Sequence, residues 1–72
     1  MSIATTVHAT INGVPRELPD GTTLAQLVEL LGEAPADVAT AINGEFIPRG
    51  LREMQALRHG DRVVCFKPIV GG

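Results

Sequence analysis

The sequence predicts an α+β fold in which four to five strands form a mixed sheet and a single helix packs on one face. Three observations carry this. Segments of period-two apolar alternation flank one segment of helical period. Asn12-Gly13 and Asn43-Gly44 are hairpin signals, because a type I′ turn needs positive φ at both central residues. Runs of strands with one interposed helix suit a sheet covered on one side.

Each element follows in order. In "TVHATIN", Val7, Ala9 and Ile11 share one face while Thr6, His8 and Thr10 take the other, as in a half-buried strand. After the turn, "VPREL" returns antiparallel with Val14, Arg16 and Leu18 on one side. Pro15 cannot donate to a ladder and places this strand at an edge. "PDGTTLAQLVELLG" is the helix: Thr23 and Gln26 form a capping box, and Leu24, Leu27, Val28 and Leu31 make an apolar stripe. Gly32 supplies the left-handed stop. "EAPADV" connects to the strand "VATAIN", and Asn43-Gly44 turns the chain into the short strand "EFIP". "RGLREMQALRHGD" is a loop with one helical turn through Leu51 to Leu57. The near-continuous apolar run of "RVVCFK" suits a central strand buried on both faces, with room to lie parallel to the first.

Composition narrows the function. A chain of 72 residues makes one domain and buries only about 60% of its unfolded surface, leaving little room for an internal active site. At 44% hydrophobic it is not a disordered chain. With a net charge of −2, only two aromatics and no basic stripe, nucleic acid is not an expected partner. No run approaches the roughly 18 apolar residues of a membrane span. "MSIATTVHAT" lacks a basic, apolar leader, so the expected location is cytoplasmic.

Few side chains suggest chemistry. His8 and His59 are far apart in sequence and have no cysteine or carboxylate at ligand spacing, so they read as a solvent-face residue and a turn residue. Cys65, between Val64 and Phe66, reads as a small buried hydrophobe. Arg49, after Ile47-Pro48, reads as an exposed arginine at a strand end. Paired acids, a nucleophile motif, a metal motif and a phosphate loop are all missing, and catalysis is not expected.

The end of the chain is more specific. A compact domain over residues 1–67 is followed by a tail over 68–72 ending in Gly71-Gly72. Pro68 fixes φ and aims the tail outward, and five residues reach about 17 Å. Two glycines without Cβ can enter a slot too narrow for other residues. At the tip stands an α-carboxylate, ionised above pH of about 3.7. Converting that carboxylate to an acyl-adenylate would make the tail a deliverable acyl group.

On "AINGEFIPR" (Ala41 to Arg49), "HGDRVVCF" (His59 to Phe66), "DGTTLAQLVELL" and the terminal Gly-Gly, the chain resembles the ubiquitin-like sulfur carriers, in particular the ThiS family of thiamin thiazole biosynthesis. The likeness spans essentially the whole chain. It implies a β-grasp fold with the first and last strands parallel at the sheet centre, and a carrier without catalytic activity or a cofactor of its own. Gly72 would bear the sulfur. A ThiF-like adenylyltransferase would activate it with ATP, sulfur from a cysteine desulfurase would displace AMP, and the thiazole synthase ThiG would take sulfur from the thiocarboxylate. Pro68, Ile69, Val70 and Gly71 would be the recognised tail. The ending "FKPIVGG" is also similar to the MoaD family, which supplies molybdopterin. A ubiquitin-like modifier and a plain interaction domain are the readings from other classes. Because one helix covers one sheet face, apolar residues left outside the core are expected to form a docking surface.

Overall fold

The computed structural model describes residues 5–68. Two hairpins and a last strand build the sheet: β1 (Thr6–Ile11), β2 (Val14–Pro19), β3 (Ala39–Ile42), β4 (Glu45–Ile47) and β5 (Arg62–Phe66), in the order β2-β1-β5-β3-β4. The hairpins are antiparallel, β5 pairs antiparallel with β3, and β1 and β5 run parallel at the centre. Both turns form as their sequences dictate, with Asn12 at φ 53° and Asn43 at φ 52°, each followed by a glycine at positive φ.

Register explains the two prolines of β2. Ile11 and Val14 flank the two-residue turn as a hydrogen-bonded pair, and bonded pairs then alternate along the ladder. The Asp20 amide donating to the Thr5 carbonyl keeps that phase. The amides of positions 15, 17 and 19 therefore point out of the sheet. Two of those positions are Pro15 and Pro19, so the outer edge presents only the Glu17 amide.

The helix α1 (Leu24–Leu30) is only seven residues long, too short to hold alone. Its start is a complete capping box: the Gln26 amide donates to Thr23 Oγ1 and the Thr23 amide to Gln26 Oε1. Its end is a Schellman motif, with the Gly32 amide on the Glu29 carbonyl and the Glu33 amide on the Val28 carbonyl. Leu24, Leu27 and Val28 are fully buried, Leu24 and Leu27 in one cluster with Val7, Ala9, Ile11, Ile42 and Val63 of the sheet and with Leu18, Ile47 and Leu57. Val28 joins a smaller cluster with Val38 and Cys65, and Leu31 packs against both groups.

Two expectations change. The helical turn placed at Leu51 to Leu57 is a 3-10 helix over Arg49–Met54, while Ala56 pairs with Thr23 and Leu57 fills the core from an extended segment. The apolar run of β5 is central but not buried on both faces. Val63 and Cys65 point under the helix, whereas Val64 and Phe66 face solvent because no second layer covers that side.

Arg52 holds the connections to the sheet. It is only 3% exposed, yet among the described residues no carboxylate forms an ion pair with it. Its Nε donates to Thr40 Oγ1 at 3.0 Å, and its two terminal nitrogens to the carbonyls of Pro35 at 2.9 Å and Val38 at 2.7 Å. Thr40 Oγ1 in turn donates to the Ile47 carbonyl. One guanidinium thus ties the 3-10 turn Pro35–Asp37, β3 and the segment after β4. Arg52→Ala strands two carbonyls and is expected to cost about 2–4 kcal/mol, measured by urea denaturation. An unchanged midpoint would show that water satisfies those carbonyls as well as the arginine does.

Candidate functional site

The chain leaves the sheet at the end of β5, and the candidate site is that exit. Pro68 follows β5 and is exposed. Ile69, Val70, Gly71 and Gly72 lie outside the described residues. Beside the exit is a groove of about 420 Å³, lined by Asn12, Leu31, Glu33, Val38, Cys65, Phe66 and Lys67. Lys67 Nζ lies 3.4 Å from Glu33 Oε2, an exposed lysine on a partly buried glutamate, and such a solvated pair contributes little by itself.

Cys65 stands where its sequence context places it, buried under the helix side of β5 and unpaired with any other cysteine. Burial pushes its thiol above the ordinary value, the Glu33 carboxylate pushes the same way, and the Arg52 guanidinium opposes them. The net upward shift keeps the sulfur protonated and a poor nucleophile.

The other face of the sheet is uncovered. Register sets Ala41 against Val64 and Phe46, and Ala39 against Phe66, all on the side away from the helix. Phe46 is 61%, Phe66 48% and Val64 45% exposed, which makes an apolar patch adjoining the exit of β5. The β1–β2 half of the same face is polar, with His8 opposite Glu17. Here the fold joins residues the sequence keeps apart: the His8 amide donates to His59 Nδ1, and the two rings meet edge-on at 5.2 Å. His8 Nε2 is 3.3 Å from Glu17 Oε2. Among the described residues no group of three His, Cys, Asp or Glu is arranged to hold a metal ion. Among the same residues no helix is long and apolar enough to cross a membrane. Arg49 is exposed at the start of its 3-10 helix.

A family model described as the ThiS family matches residues 9–72. The chain belongs to the ThiS family. It is 35% identical over 52 residues to the sulfur carrier protein ThiS of Escherichia coli, across 72% of this chain and 79% of that one. The crystal structure of a thiamine biosynthesis protein (ThiS) from Geobacter metallireducens superposes with a TM-score of 0.75 at 28% identity, covering 92% of this chain and all of that one. A solution NMR structure of a thiamine biosynthesis protein from the same organism gives 0.68 at the same identity, over 92% and 88%. The β-grasp implied by the family resemblance is therefore the fold. Its "AINGEFIPR" block is the β3–β4 hairpin with the first residue of the following 3-10 helix.

Sequence reasoning missed two side chains that shape this end of the molecule. Arg52 looked like any charged loop residue, and no spacing marks it as buried. Asn12 was assigned to its turn alone, whereas its carboxamide also bonds Cys65. Cys65→Ser is expected to leave a folded protein fully competent as a carrier, at a stability cost of about 1–3 kcal/mol. Wild-type Cys65 should also alkylate more slowly with iodoacetamide at pH 8 than free cysteine does. Alkylation at the free-thiol rate would contradict the burial described.

Proposed function

We propose that this chain is a sulfur carrier for thiamin thiazole formation and that Gly72 is its working residue. The observation that carries this is the ThiS-family match over residues 9–72. One carboxylate oxygen of Gly72 attacks the α-phosphate of ATP on a ThiF-type enzyme, and pyrophosphate leaves. The terminal sulfur of a persulfide, supplied by a cysteine desulfurase, then attacks the acyl carbon and AMP leaves. A second thiol then attacks the desulfurase sulfur of the acyl disulfide, forming a new disulfide with it and releasing the thiocarboxylate, which the thiazole synthase ThiG consumes. The carrier is a recycled co-substrate, and the organisation it needs is a domain over residues 1–67 with a deliverable tail over 68–72. Pro68, Ile69, Val70 and Gly71 are the residues a partner's channel receives. ATP belongs to the activating enzyme.

The apolar patch of Ala39, Ala41, Phe46, Val64 and Phe66 is the docking surface in this reading, because it adjoins the root of the tail and a bound partner would remove it from water. Val64→Asp is expected to leave the protein folded, at a cost of about 1 kcal/mol for an acid in a central strand, and to reduce activation by the adenylating enzyme at least tenfold. Undiminished activation would move the docking surface elsewhere.

The tail makes the sharper test. One alanine added after Gly72 moves the carboxylate by about 3.3–3.6 Å and brings a Cβ to the tip. ATP–pyrophosphate exchange with the adenylating enzyme is expected to vanish while the melting temperature stays the same, and Gly71→Ala should reduce exchange less severely. Full exchange from the extended chain would remove Gly72 as the working end.

A further inference from the structure

The last residues of β5 outrun the strand beside them. Pairing between β1 and β5 covers only Thr10↔Arg62 and Ile11↔Val63, after which β1 turns away at Asn12. On its other side β5 stays paired with β3 as far as Ala39↔Phe66. The Asn43 amide on the Arg62 carbonyl fixes the phase of that ladder, so Thr40↔Cys65 is a non-bonded pair. The Cys65 amide and carbonyl therefore point toward the side from which β1 has already departed.

One side chain stands in for the missing strand. The Cys65 amide donates to Asn12 Oδ1 at 2.9 Å, and Asn12 Nδ2 donates to the Cys65 carbonyl at 3.0 Å. The Asn12 backbone amide adds a bond to the Val63 carbonyl at 2.8 Å. Beyond Phe66, Lys67 and Pro68 make no backbone hydrogen bond with other described residues. The carboxamide of Asn12 thus secures the last peptide of β5 on that side.

We propose that Asn12 is a positioning residue for the C-terminal tail: it fixes where β5 ends and the direction in which the chain leaves the sheet at Lys67 and Pro68. The proposal rests on Gly72 being the group a partner activates. Without Asn12 the only backbone pairing left to this last stretch of β5 is that of Phe66 with Ala39, and the stretch gains conformational freedom. A partner must then remove it on binding. Ordering about one further residue corresponds to roughly a tenfold loss of affinity. Chemistry after docking is unaffected, so the loss belongs in KM for the carrier and not in kcat.

Asn12→Gly tests this cleanly because glycine keeps the positive φ of the turn and removes only the side chain. Asn12→Asp keeps an acceptor for the Cys65 amide and loses the donor. Asn43→Gly is the control. Asn43 occupies the same position in the other turn, and its Oδ1 accepts from the Arg62 amide at the start of β5, remote from the tail. Amide hydrogen exchange and carrier-dependent ATP–pyrophosphate exchange with the adenylating enzyme are measured on all four chains, well below their melting temperatures. The expected result is faster exchange at the Cys65 amide and about a tenfold higher KM in Asn12→Gly. Asn12→Asp should fall between that variant and wild type, kcat should hold throughout, and Asn43→Gly should keep the wild-type KM. Unchanged Cys65 exchange, an unchanged KM, a fall confined to kcat, or an equal rise in KM for Asn43→Gly would each overturn the proposal. A wild-type chain that the enzyme does not activate overturns the reading of Gly72 itself, and the control reaction alone reveals it.

Discussion

Everything in this fold meets at β5. The β1–β2 hairpin and the β3–β4 hairpin have no direct pairing with each other, and they form one sheet only because the last strand inserts between them. On the β1 side that insertion rests on two residue pairs, a short seam for the non-local contact on which the topology depends. Asn12 lengthens it, and Asn43 does the same for the seam between β5 and β3. Each holds a positive φ that its turn requires, and each spends its carboxamide on β5, one near the start and one near the end. Glycine would serve either turn equally well but could not reach the strand.

The single helix sets the second constraint. Seven residues, closed by a capping box and a Schellman motif, cover one face of a five-stranded sheet and leave the other to solvent. Apolar side chains on the bare side cost stability little, because nothing beneath them depends on their packing. They also stand next to the chain exit, on the face proposed above as the docking surface. Arg52 completes the design from the covered side. It anchors two connections through neutral acceptors, leaving the apolar core free of carboxylates.

Local signals in the sequence were legible because their physics is local. Asn-Gly turns, the Thr23–Gln26 box, Gly32 and the stripe of Leu24, Leu27 and Val28 each depend on residues within a turn or two, and each appears as read. Pro15 likewise disclosed the edge. What stayed hidden was non-local. The contact between His8 and His59 spans 51 residues and that between Asn12 and Cys65 spans 53, and no periodicity encodes either. The apolar run of β5 misled for a related reason. Hydrophobicity on both faces records what a strand would prefer to bury, and here one face has no partner within the chain. Of the site, the tail was legible as a motif, and the patch was legible as a surplus of apolar residues without an address.

The outer edge of β2 carries a consequence for recognition. With Pro15 and Pro19 at two of its three outward amide positions, that edge cannot template an added strand. Backbone pairing is indifferent to side-chain identity and accepts almost any extended peptide, so an open edge invites strangers. A closed one leaves contact on that flank to side chains, whose shapes and charges can be altered one residue at a time while the backbone stays fixed. Side-chain changes on that flank can thereby alter which partners this chain accepts without altering its fold.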